Sequence, residues 1–110
     1  MKISWNERKI SDHGDFIANF YVKKEDGKPF NALIVDVLKG HYKARLKGAA
    51  RVYLVLDGKG TFTINETVLG VEQNDLIVIQ DGDAYSYEGK MRLFEFNVPA
   101  TDRDNEEKLE

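Results

Sequence analysis

Lys39, His41, Lys43, Arg45 and Lys47 fall on successive odd positions of the 110-residue chain, and Arg51 and Tyr53 keep the same parity. Alternate residues of an extended chain share a face, so the run reads as a basic stripe. Turned into a cavity, it would hold a phosphate, sulfate or carboxylate, with arginine able to grip two oxygens at once. Turned to solvent between Gly40 and Gly48, its lysines would instead keep a sheet edge from pairing with another chain. Arg51 opens an apolar run and is expected to be anchored. Tyr85 and Tyr87 flank Ser86 and place two phenols on one face, where they either fill a core or offer hydroxyls to a polar ligand. Glu95 alternates with Leu93 and Asn97 against Phe94 and Phe96. The simpler reading gives Glu95 to a solvent face; the other pairs it with Arg51 inside.

His13 and His41 are the only histidines and show neither HxH nor HExxH spacing. A surface or hydrogen-bonded histidine is the ordinary role, with acid/base work or a lone metal contact as the alternative. No Ser/His/Asp order, no carboxylate pair flanking a cleft and no phosphate loop stands out. Gly58-Lys59-Gly60 lacks the rest of any nucleotide fingerprint. The chain has no cysteine, which removes disulfides, thiolate metal sites and cysteine nucleophiles together.

The elements that must position these residues are strands. Asn31 onward (ALIVDVL), RVYLVL from Arg51, TFTI from Thr61, Val68–Val71, DLIVI from Asp75, Ala84–Tyr87 and MRLFEFNV from Met91 are short β-branched or apolar runs. Turn residues separate them: Asp57–Gly60, Asn65-Glu66, Gln73-Asn74, Asp81–Asp83 and Glu88-Gly89. That spacing predicts a sandwich or barrel, with RVYLVL and TFTI joined as a hairpin through the Gly-containing loop. Asp15–Lys23 fits a helical face as well as a strand. The core is expected from Leu33, Val35, Val37, Val52, Leu54, Leu56, Ile64, Ile77, Ile79, Phe94 and Phe96, shared between the interior and outer packing.

One domain accounts for the length. The net charge of −3 resides in Asp102, Asp104, Glu106, Glu107 and Glu110 against Arg103 and Lys108, which leaves residues 1–101 balanced. A general nucleic-acid binder is therefore not expected. No apolar run approaches the ~20 residues of a membrane helix and no secretory leader is visible, so a cytoplasmic protein is expected. Residues 101–110 form an acidic tail expected to fray. Its closing Leu109-Glu110 is also open to being a remnant of an expression tag.

The stretch Tyr53–Gly60 (YLVLDGKG), the TFTI strand, Asn74–Gly82 (NDLIVIQDG) and MRLFEFNVPA together resemble a cupin over about residues 31–100. Gly58 and Gly60 match the first turn. Asp75 matches the second motif's aspartate with Asn74 in the usual glycine place, and Gly82 matches its turn with Gln80 where proline is common. The resemblance implies an all-β, single-domain antiparallel barrel of jelly-roll type with two facing sheets, spanning residues 1–100. For metal-binding members it also implies two histidines and a glutamate from the first motif and a histidine from the second. Here Arg51 stands in the glutamate's place, Lys43, Arg45 or Lys47 near the histidine places, and Tyr85 in the last histidine's place. Ammonium and guanidinium groups have no lone pair to give a metal. Neither metal nor cofactor is expected.

On that overlay Tyr53 lies at the depth of the other tyrosines. The expected ligand-binding set is Arg51, Tyr53, Tyr85, Tyr87, Arg45, His41 and Glu95, with no residue assigned to catalysis. The expected function is a metal-free barrel that binds a small polar or anionic molecule such as a sugar or sugar phosphate. A filled structural barrel is one alternative; the other is a sugar isomerase or epimerase using Tyr85 and His41. RVYLVL and DLIVI are apolar on both faces, which predicts that a second copy covers the outer sheet as a homodimer.

Overall fold

The protein is described by a computed structural model covering residues 1–109; Glu110, and so half of the Leu109-Glu110 pair, lies outside the described residues. Among the described residues nine strands run in chain order: β1 (Lys9–Asp12), β2 (Phe16–Val22), β3 (Asn31–Val37), β4 (Gly40–Leu46), β5 (Ala50–Ile64), β6 (Thr67–Glu72), β7 (Leu76–Ile79), β8 (Ala84–Val98) and β9 (Glu106–Lys108). Every pairing is antiparallel. Three short 3₁₀ turns, Trp5–Glu7, Lys24–Asp26 and Arg103–Asn105, are the only helical pieces among the described residues. The segment readable as helix or strand is strand β2, with a register shift between Phe20 and Val22.

Two 15-residue strands, β5 and β8, organise the barrel by passing through both of its layers. The first half of β5 pairs with β7 and with the end of β8, which in turn pairs with β3. The second half of β5 pairs with β6 and with the start of β8, which pairs with β4. The hairpin expected at Asp57–Gly60 is therefore absent, and so is the break at Glu88-Gly89: at both places the strand continues and bends. The glycines permit close backbone approach there. A Cβ on Gly60 would sit 2.3 Å from the Glu88 carbonyl oxygen, and one on Gly89 (φ 128°) 2.7 Å from the Gly60 Cα. The turn at Asn65-Glu66, where both residues take positive φ, is a true hairpin joining β5 to β6.

Inward positions alternate along the strands as a half-buried sheet requires. Leu33, Val35 and Val37 from β3, Tyr53 and Val55 from β5, Ile77 and Ile79 from β7, and Tyr85, Tyr87, Met91 and Leu93 from β8 form the core. Val52, Leu54, Phe94 and Phe96 take the outward face. There the register lines up Ile34, Phe94, Leu54 and Leu76 in one row and Ala32, Phe96, Val52 and Val78 in the next. No helix among the described residues is long and apolar enough to cross a membrane.

Residues 101–109 of the acidic tail, expected to fray, are instead seated against the body. Asp102 caps the last 3₁₀ turn by accepting from the Asp104 amide, and β9 then pairs with β4 through Ala44, Arg45 and Leu46. Buried Thr101 and the inward-turned Glu106 supply the stabilisation that a polar composition alone does not suggest.

Candidate functional site

The basic stripe does not survive folding, because β4 carries a register shift between His41 and Ala44. A bulge of this kind inverts the inward and outward alternation beyond it. His41 points in, whereas after the shift Ala44 and Leu46 point in and Lys43, Arg45 and Lys47 are turned out. Arg45 donates to the Gly82 carbonyl oxygen and lies 3.9 Å from Glu107, outside the cavity that His41 and Arg51 line. Arg51, Tyr53, Tyr85, Tyr87, His41 and Glu95 all converge in the barrel interior.

Arg51 is the hub. Its Nε donates to Asn97 Oδ1 at 2.6 Å and lies 3.3 Å from Glu95 Oε2. Its Nη1 donates to the Tyr85 hydroxyl at 2.5 Å and to Glu106 Oε1 at 2.8 Å, and Nη2 donates to Thr101 Oγ1 at 3.3 Å. Only 6% of Arg51 is exposed, and burial of a guanidinium disfavours its charge. The facing Glu95, and behind it the Tyr85, Tyr53 and Glu106 oxygens, outweigh that and hold Arg51 firmly protonated. With four of its five N–H donors engaged, Arg51 cannot grip a ligand anion with two bonds. Glu95, whose simpler assignment was a solvent face, is inside at 8% exposure.

A further set of side chains locks the hub. Asn97 Nδ2 donates to Glu95 Oε2 and to Asn31 Oδ1, both at 2.9 Å, and Asn31 Oδ1 also accepts from the Thr101 amide and hydroxyl. Sequence reasoning missed Asn31, Asn97, Thr101 and above all Glu106. The one available signal was charge: a buried arginine flanked by tyrosines needs counter-charge, and Glu95 shares a strand face with Asn97.

His41 borders a cavity of about 800 Å³ whose walls include Phe16, Leu33, Val35, Arg51, Tyr87, Glu95 and Glu106. Its Nδ1 lies 2.6 Å from the Tyr42 carbonyl oxygen. A carbonyl can only accept, so Nδ1 carries the proton and the neutral ring keeps its lone pair on Nε2. Nε2 is 3.7 Å from Glu106 Oε1, too far for a hydrogen bond but close enough for a charge to be felt. Burial lowers the affinity of His41 for a proton, and the pull of Glu106 offsets only part of this, so the ring titrates below the usual histidine range. Glu106 is also shifted downward, although burial acts on it in the opposite sense. Burial favours its protonated form, but Arg51, His41 and the Tyr85 hydroxyl together hold its carboxyl below the ordinary value. Tyr85 donates to Glu106 Oε1 and Tyr42 donates to Oε2. Burial pushes the Tyr53, Tyr85 and Tyr87 phenols well up, so all three remain neutral donors. The fully buried Tyr53 hydroxyl has no protein partner.

A divalent ion does not fit this arrangement. The carboxylates of Glu95 and Glu106 are engaged by Arg51, and among the described residues no three His, Asp or Glu side chains gather as ligands.

No protein-family model and no curated protein matches the sequence. Solved structures do match by shape. A histidine-to-glutamine variant of Streptomyces Pac13, with uridine, superposes with a TM-score of 0.88 at 20% identity over 99% of this chain and 90% of that one. The Schizosaccharomyces pombe Cnp3 cupin domain superposes with a TM-score of 0.72 at 22% identity over 90% of this chain and 72% of the other. This chain has the cupin fold. A protein from Planctomyces limnophilus superposes at a TM-score of 0.87 and 16% identity, covering 97% of this chain and 95% of its own length. Pac13 is described as a nucleoside dehydratase, and two tyrosine-to-phenylalanine variants of it are also solved with uridine.

Proposed function

We propose that this cupin is an acid/base enzyme acting on a small polar molecule of nucleoside or sugar-like size, with His41 as the proton acceptor. The observation that carries the reading is the fixed tautomer of a neutral, buried imidazole whose lone pair borders the cavity. Pac13, of the same fold, is described as a nucleoside dehydratase, which favours dehydration over the isomerase or epimerase chemistry weighed from sequence. In such a step Nε2 removes a proton from a carbon whose C–H bond is acidified by a neighbouring carbonyl. The electrons left behind form the carbon–carbon double bond as the adjacent C–O bond breaks, and the departing hydroxide takes the proton that His41 has accepted and leaves as water, which returns the imidazole to its neutral form. Glu106, 3.7 Å from Nε2, stabilises the imidazolium formed on the way. The Tyr87 hydroxyl, on the cavity wall, is a neutral donor available to the substrate's oxygens. Aliphatic and aromatic walls at Phe16, Leu33 and Val35 exclude water from the ring that binds between them.

The test is incubation of a panel of carbonyl-bearing sugars and nucleosides with the protein in deuterium oxide, followed by proton NMR. Loss of a C–H signal with the parent protein, abolished in His41→Gln while uridine-type ligands still bind, supports the reading. Exchange that persists undiminished in His41→Gln overturns it.

A further inference from the structure

The cavity is charged in two tiers. On its floor one cation, Arg51, faces two carboxylates, Glu95 and Glu106, and four of its five N–H donors are engaged by Glu106 and neighbouring side chains. Around the rim stand Lys23, Lys24, Arg103 and Lys108 against Glu25 and Asp102. Two of these rim cations are paired: Lys23 lies 3.7 Å from Glu25, and Lys24 lies 3.4 Å from Asp102. Arg103 and Lys108 make no ion pair within the described residues. Both are exposed, and both belong to the C-terminal segment that also delivers Glu106. Lys108 is held over the Tyr42 ring at 5.0 Å, and Tyr42 bonds to Glu106, so the rim cation and the floor carboxylate are tied to the same side chain.

This polarity constrains how a ligand can lie. An anion pushed to the floor would meet Glu95 and Glu106 in a low-dielectric interior, where like charges repel strongly. Left at the rim, the same anion keeps part of its hydration and gains a guanidinium that binds two oxygens together with an ammonium. We propose that the ligand is two-ended: an uncharged polar ring seated beside His41 and an anionic group, phosphate or carboxylate, left at the rim against Arg103 and Lys108. The substrate class is thus a nucleoside- or sugar-sized molecule with an anionic tail. The inference rests on the ligand size proposed above and adds the anionic group and its place.

Calorimetric titrations of the full chain with uridine and with uridine 5′-monophosphate, at low salt and at about 0.5 M salt, test it. The monophosphate is expected to bind about tenfold tighter at low salt, equivalent to about 1.4 kcal/mol. That advantage is expected to collapse at high salt and in the Arg103→Gln/Lys108→Gln double variant, whose folding is checked by thermal melting. Uridine binding as tightly as its monophosphate overturns the rim site while leaving the acid/base reading in place. A monophosphate advantage that persists in the double variant also overturns it, because the anion then sits elsewhere. Failure of both probes to bind removes the nucleoside-sized ligand on which the inference depends.

Discussion

Replacing Arg51 with methionine, which preserves length but not charge, removes the one cation that Glu95 and Glu106 share. Four donors vanish at once: to Asn97, Tyr85, Glu106 and Thr101. Breaking a buried pair by deleting one partner typically costs about 3–5 kcal/mol, since it strands the opposite charge. For a chain of this length each kcal/mol moves the melting temperature by at least about 4 °C, so a fall of about 12 °C or more is expected. The pH dependence makes the test specific. Glu106 has its folded-state value depressed by Arg51, His41 and Tyr85 despite burial. A depressed carboxyl contributes stability that is present above its unfolded value and lost as pH falls through the folded one. In Arg51→Met the main source of that depression is gone, so the gap between variant and parent should narrow as the solution is acidified below the ordinary glutamate range. Thermal melts followed by near-UV circular dichroism between neutral and acid pH measure both effects. A variant that melts within about 3 °C of the parent at neutral pH, as an exposed substitution would, would refute the assignment of Arg51 as the electrostatic hub.

Tyr53→Phe removes a buried hydroxyl with no protein partner, so the ligand-free protein is expected to keep or gain up to about 1 kcal/mol of stability; a clear loss by chemical denaturation would mean that the hydroxyl is satisfied. Gly89→Ala, at φ 128° with its Cβ 2.7 Å from the Gly60 Cα, should cost more than about 2 kcal/mol. Gly70→Ala, where nothing lies within 4 Å, should stay within about 0.5 kcal/mol, and similar losses at both sites would contradict the close crossing. The three phenols raised by burial should make stability fall as pH climbs past the ordinary tyrosine value, because the unfolded chain then releases protons that the folded one keeps. Ultraviolet-detected tyrosinate formation that coincides with unfolding would confirm it.

The strands were legible because apolar β-branched runs carry their own periodicity, and the outward rows of Val52, Leu54, Phe94 and Phe96 explain why several runs looked apolar throughout. What composition hides is local geometry. The bulge in β4 separates His41 from the cations that share its parity, and no residue there announces it. Gly58, Gly60 and Gly89 look like turn glycines yet serve a close backbone crossing, a distinction that depends on what lies opposite. Glu106 was invisible because its placement depends on a partner, Arg51, far away in the chain. A polar tail reads as disordered until the buried charge that holds it is known.

Because β5 and β8 each run through both layers, the sheets are one continuous fabric folded over itself, and they cannot part like the covers of a book. Access to the interior must therefore pass over the rim, where the N-terminal and C-terminal walls are joined by Lys24 and Asp102, an exposed contact of the kind that contributes at most about 1 kcal/mol. Slow breathing of the barrel and fast admission of a guest are thus separable properties of the same molecule. Backbone amides in the paired core of β5 and β8 should exchange together and last, after those of the three-residue edge strand β9.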